Sequence, residues 1–134
     1  MNKLNLKFNF SGIDIDANFK NNFGILVRDS GTGKTLLMKA AELYCLKNDI
    51  AYQYMDSNTR TYTQEQILNI LSDKEVVLLD NADLYLTNDI LNTLRSDTNR
   101  FILICIKDTS KLNIRYASEY FVHYRDLYLT IEEL

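Results

Sequence analysis

At 134 residues the chain has the length of one domain. Hydrophobic residues make up 46% and charged residues 25%, which excludes a wholly disordered chain. The net charge of −3 argues against a protein that coats nucleic acid, and the longest apolar run, Phe101 to Ile106, is too short to span a bilayer. The N-terminus carries no apolar signal core, so the expected compartment is the cytoplasm.

Leu4, Leu6, Phe8 and Phe10 alternate, then Ile13, Ile15, Ala17 and Phe19, with Ser11-Gly12 between them. This pattern predicts an N-terminal β-hairpin within residues 1–20. Phe23 to Val27 reads as a buried strand, Asp29 to Gly33 as a turn, and Lys34 to Asn48 as a helix. Its buried stripe is Leu37, Ala40, Ala41, Tyr44 and Cys45. Ile50 to Met55 is a second strand. Thr63 to Ser72 is a second helix, with Thr63 and Gln66 at capping-box spacing. Glu75 to Leu79 is a third strand, Thr87 to Arg95 a third helix, and Phe101 to Ile106 a fourth strand. A short helical turn is expected over Ser110 to Tyr116, a fifth strand over Tyr120 to Tyr124, and one more over Leu127 to Ile131.

Strands that are apolar throughout and alternate with helices predict an α/β fold, a three-layer sandwich around a mostly parallel five-stranded sheet. The hairpin adds to a core over 21–134, in one domain. Ligands of such sheets bind beyond the carboxyl ends of the strands. The chemically interesting residues follow those ends: Asp29 to Thr35, Asp56, Asp80 to Asp83, and Lys107-Asp108.

Asp29-Ser30-Gly31-Thr32-Gly33-Lys34-Thr35 joins the first core strand to the first core helix. Such a turn points backbone N–H groups inward as an anion nest, and the helix N-terminus adds its dipole. Lys34 suits the β- and γ-phosphates of a nucleotide, and the Thr35 hydroxyl suits Mg²⁺. The full phosphate-loop pattern asks for glycine where this chain has Arg28. Val76-Val77-Leu78-Leu79-Asp80 ends a strand in a carboxylate, a second oxygen donor for Mg²⁺. Asn81 follows it. Asparagine can orient a water but cannot take its proton, which leaves Asp83 as the nearest carboxylate. The alternative for Asp83 is a turn or cap before the third helix.

The two motifs together resemble a P-loop NTPase of the additional-strand class, and most of all an AAA+ core of the clamp-loader or initiator type. Gly31-Thr32-Gly33-Lys34-Thr35 is similar to the Walker A end, and Leu78 to Asp83 to the Walker B segment with Asn81 in place of glutamate. The resemblance implies a polar sensor near Lys107 or Asp108 and an arginine finger near Arg115. It implies ATP and Mg²⁺ as cofactors and a protein partner or oligomer, and ATP is preferred over GTP because no N-K-x-D motif is present. The helical lid of that family, with its own arginine, is not expected here. A hairpin before the P-loop is closer to ABC-type ATPases, but no LSGGQ-like signature occurs.

Three functions compete: a slow or partner-dependent ATPase acting as a switch, loader or regulatory subunit of a larger, DNA-processing assembly; a degenerate P-loop used for protein contacts; and a small kinase with Asp56 as base and Arg95 and Arg100 as lid. No basic stripe or helix-turn-helix supports direct nucleic-acid binding. Tyr52 and Tyr54 are expected to pack, with stacking on a base as the alternative. Arg60, Arg100 and Arg125 are expected to be solvated. Cys45 and Cys105 read as buried free thiols, and with His123 alone among histidines no protein-only metal cluster is expected.

Overall fold

The computed structural model describes residues 3–27 and 33–134. Eight strands and three helices follow one another: β1 (Asn5–Phe10), β2 (Ile13–Asn18), β3 (Phe23–Leu26), α1 (Gly33–Lys47), β4 (Tyr52–Met55), α2 (Gln64–Leu71), β5 (Val76–Leu79), α3 (Asn88–Arg95), β6 (Phe101–Cys105), β7 (Ser118–Arg125) and β8 (Tyr128–Glu133). Short 3₁₀ turns cover Ser57–Thr61 and Ala82–Leu84. The expected helical turn over Ser110 to Tyr116 is not there. That segment is tied instead by side chains onto nearby backbone, Asp108 accepting from the Ser110 N–H and Asn113 from that of Arg115.

The strands form one sheet in the order β1-β2-β8-β7-β3-β6-β5-β4. The expected five-stranded sheet is therefore corrected to eight strands. β7, β3, β6, β5 and β4 are parallel neighbours. β8 turns back antiparallel on β7, and its free edge takes β2 in parallel register, Ile15 opposite Leu129. The hairpin is thus part of the sheet and leaves no open edge at β8. Its turn is tight because Ser11 and Gly12 both have positive φ, 50° and 84°.

Two apolar clusters lie on the two faces. On one, α1 contributes Leu37, Met38, Ala40, Ala41 and Cys45. They meet Leu4, Leu6, Ile15, Ala17, Val122 and Leu129 from one half of the sheet and Val76, Leu78, Phe101 and Leu103 from the other. Both edge strands, β1 and β4, reach α1, so the sheet bends around that single helix. On the opposite face, α2 and α3 bury Ile67, Leu71, Ile90, Leu91 and Leu94 against Phe23, Ile25, Val77, Leu79, Ile102 and Ile104. No residue of β1, β2, β7 or β8 belongs to that second cluster. Three layers therefore exist only over the β3–β4 half.

Caps fix the helix starts. Thr63 accepts from the Gln66 N–H and Gln66 returns the bond, the capping box read from the sequence; Thr87 caps α3. At the other end of the two helices Arg100, expected in solvent, is only 6% exposed. Its guanidinium donates to the carbonyls of Ser72, Lys74 and Leu94 at 2.6–2.9 Å. It thus satisfies the C-terminal ends of α2 and α3, where a cation is favoured.

Candidate functional site

The parallel register brings the carboxyl ends of β3, β6, β5 and β4 to one rim. Gly33 is the buried first residue of α1, Lys34 is half-buried and Thr35 exposed, all seven to nine residues beyond the end of β3. Arg28, Asp29, Ser30, Gly31 and Thr32 lie outside the described residues. Asp80 follows β5 directly and continues the ladder, its N–H donating to the Met55 carbonyl at 2.8 Å. β6, an additional strand, lies between β3 and β5.

Asp80 is held by several groups. Its Oδ1 accepts the Asn81 N–H at 3.0 Å and its Oδ2 the Tyr54 hydroxyl at 3.4 Å. The buried Tyr85 hydroxyl shares its proton between the carbonyls of Asp80, at 2.7 Å, and Met55, at 3.2 Å. The Asp80 carbonyl thereby gains a donor past the end of β5, and the Met55 carbonyl, which already takes the Asp80 N–H, gains a second. Asn81 has φ 51° and ψ 43°, the left-handed conformation that asparagine tolerates better than glutamate does.

Cys105, the last residue of β6, belongs to this site. The β5–β6 register, Leu79 opposite Ile104, sets it beside Asp80. Burial pushes the thiol up to about 11, with Lys34 pulling the other way. Lys34 at the start of α1, Asp80 after β5 and Cys105 at the end of β6 thus belong to the same rim. The sequence hides Cys105, because a cysteine closing an apolar run reads as core.

The other predicted residues are placed differently. Asp83 is half-buried, and its two carboxylate oxygens accept the N–H groups of Lys107 and Asp108 at 3.4 and 3.2 Å. It thus clamps the loop after β6 to the turn after Asp80. Lys107 and Asp108 are exposed, and Asp108 accepts from both the N–H and the hydroxyl of Ser110, which holds its carboxyl below the usual range. Arg115 is exposed on the same loop, next to Tyr116, which is 82% exposed at φ 69°. Asn88 pins this loop a second time by accepting the Asn113 N–H at 2.6 Å.

The Asp80 carboxylate after β5 and the Thr35 hydroxyl in the first turn of α1 are the oxygen donors that the sequence offers to a divalent cation. Hard oxygens, one of them charged, fit Mg²⁺, which keeps waters and takes phosphate oxygens besides one or two protein ligands. Among the described residues no group of three or more His, Cys, Asp and Glu forms a closed metal cage. Asp56 caps the 3₁₀ turn after β4 by accepting the Asn58 N–H at 3.0 Å. Arg95 stacks on Phe23, 4.3 Å from its ring centroid, and Arg100 is fully engaged; both lie at the amino ends of the strands, away from this rim.

Among the described residues no helix is long and apolar enough to cross a membrane. No family model matches the chain, and no curated protein does. Solved structures do. A DNA replication initiation factor is 21% identical, with a TM-score of 0.49 over 63% of this chain and 32% of the other. DnaA from Aquifex aeolicus, solved with bound AMPPCP, is 22% identical, with a TM-score of 0.50 over 68% of this chain. The match spans 34% of that DnaA chain, about a third of its length, and the likeness is one of fold.

Proposed function

We propose that the chain is an ATP-binding P-loop protein of the AAA+ type, Mg²⁺-dependent, whose hydrolysis is slow or waits on a partner. The observation that carries this reading is topological: Lys34 starts the helix that follows β3, and Asp80 and Cys105 end the neighbouring parallel strands β5 and β6 at the same rim. The helix N-terminus and Lys34 supply positive charge for phosphates. Thr35 and Asp80 are the residues to hold Mg²⁺, which would neutralise phosphate charge when bound with the nucleotide. The fold likeness to a DnaA solved with bound AMPPCP supports a nucleotide as ligand.

Slow turnover follows from Asn81. It cannot accept a proton from water, and a missing general base typically costs about 10²–10⁴-fold. Asp83 does not replace it, since both its oxygens are taken up by the loop after β6. Exposed on that same loop, Arg115 is the residue to reach a neighbouring subunit or partner. A kinase is the weaker reading, because Arg95 and Arg100 serve the opposite end of the sheet and Asp56 serves a cap.

Turnover of Mg-ATP by the purified chain tests this. We expect stoichiometric binding with a rate far below about 1 s⁻¹, the low end of ordinary enzymes. A faster rate without partner would contradict the switch-like reading. An absence of binding would favour a P-loop fold kept for protein contacts.

A further inference from the structure

Tyr54 stands on edge strand β4, half-buried, on the α1 side of the sheet with Leu78 and Cys105. Packing there asks only for a ring. The hydroxyl, however, is carried forward. Tyr54 is registered opposite Leu78, yet its oxygen meets the carboxylate of Asp80, two positions further along β5's direction. Asp80 thus has one donor on each oxygen, a backbone N–H from its own turn and a phenol from the neighbouring strand. Its main chain is fixed separately, by Tyr85 on its carbonyl and Met55 on its N–H. Rotation of the carboxylate about its side-chain bonds is the freedom that remains, and Tyr54 restricts it.

We propose that Tyr54 is a positioning residue for Asp80, orienting the carboxylate toward a hydrated Mg²⁺ that arrives with the nucleotide. This role rests on the reading of Lys34, Thr35 and Asp80 as a Mg-nucleotide site. Partners that orient a ligating carboxylate commonly change metal affinity by 10–100-fold. At 3.4 Å the bond is long, so about 10-fold is the expected size here.

The test is ATP binding to the full chain, with Mg²⁺ and with EDTA, for the unaltered protein, Tyr54→Phe, Asp80→Asn and the double variant. Tyr54→Phe keeps the ring and its packing. The quantity read is the enhancement of ATP affinity by Mg²⁺. Tyr54→Phe is expected to lower that enhancement about 10-fold while affinity in EDTA stays unchanged. Asp80→Asn is expected to remove it, and the double variant to lose nothing more. An unchanged enhancement in Tyr54→Phe overturns the proposal, as does an equal loss with and without Mg²⁺ or a further loss in the double variant. Should the unaltered chain bind no ATP, or Asp80→Asn keep the full enhancement, the site reading fails and takes the role of Tyr54 with it.

Discussion

In β5 and β6 every side chain is buried, whereas in β8 only Leu129 is. The first two strands lie between α1 on one face and α2 with α3 on the other; β8 has α1 on one face and nothing from the second apolar cluster on the other. A strand covered twice reads as an apolar run, and a strand covered once alternates. The candidate rim grows from the doubly covered half, where β5 leads into Asp80 and β6 ends in Cys105. The singly covered half carries no candidate site residue and serves to close the sheet around α1.

The largest differences are expected between adjacent residues. Leu78→Ala and Leu79→Ala point to opposite faces, and each should cost about 2–5 kcal/mol. In β8 Leu129→Ala should cost as much, but its half-buried neighbour Thr130→Ala should stay within about 0.5 kcal/mol. Urea midpoints measure all four, and a Thr130→Ala cost matching that of Leu129→Ala would show that the outer face of β8 is covered after all.

A second contrast sets two arginines against each other. Arg100→Met strands three carbonyls at two helix ends and should cost about 3 kcal/mol. Arg125→Met, whose side chain is 92% exposed, should change the midpoint little. Equal effects would contradict the burial of Arg100. Tyr85→Phe is expected to be milder, about 1–2 kcal/mol, because it takes the hydroxyl donor from the Asp80 carbonyl while the Met55 carbonyl keeps the Asp80 N–H. If it melts with the unaltered chain, that bridge between β4 and β5 is not a structural one.

A pH dependence is expected as well. Burial pushes the thiols of Cys45 and Cys105 up from 9.0, to about 12 and about 11, and the Tyr54 phenol up from 10.0 to about 12. The folded chain therefore holds these protons more tightly than the unfolded one. Stability from these groups is fully present below about pH 9 and is lost as the pH rises through 11 to 12. Urea midpoints taken at rising pH should fall across that window, and a flat profile would place the three groups in water.

Much of the fold was legible because its signals are local. The apolar runs of β5 and β6, the capping box of α2 and the Ser11-Gly12 turn each need only a few neighbouring residues. The β7–β8 turn was not, because Asp126 and Leu127 both take positive φ, 52° and 61°, and leucine there gives no turn signal. Nor was the parallel pairing of β2 with β8, which joins segments over 100 residues apart. At the site, Lys34 and Asp80 were visible by motif. Cys105 and Tyr54 were not, since their side chains are typical of a core and only the register carries them to Asp80. Lys107 and Asp108, where the sensor is expected, give their N–H groups to Asp83, while β6 itself ends at Cys105, in register beside Asp80.

The central claim is that Lys34 and Asp80 frame a nucleotide site, and calorimetric titration of Mg-ATP into the purified chain and its Lys34→Ala variant tests it most directly. The account predicts one bound nucleotide per chain, with binding lost in Lys34→Ala while the melting temperature is kept. Equal binding by both proteins, or by neither, would contradict it.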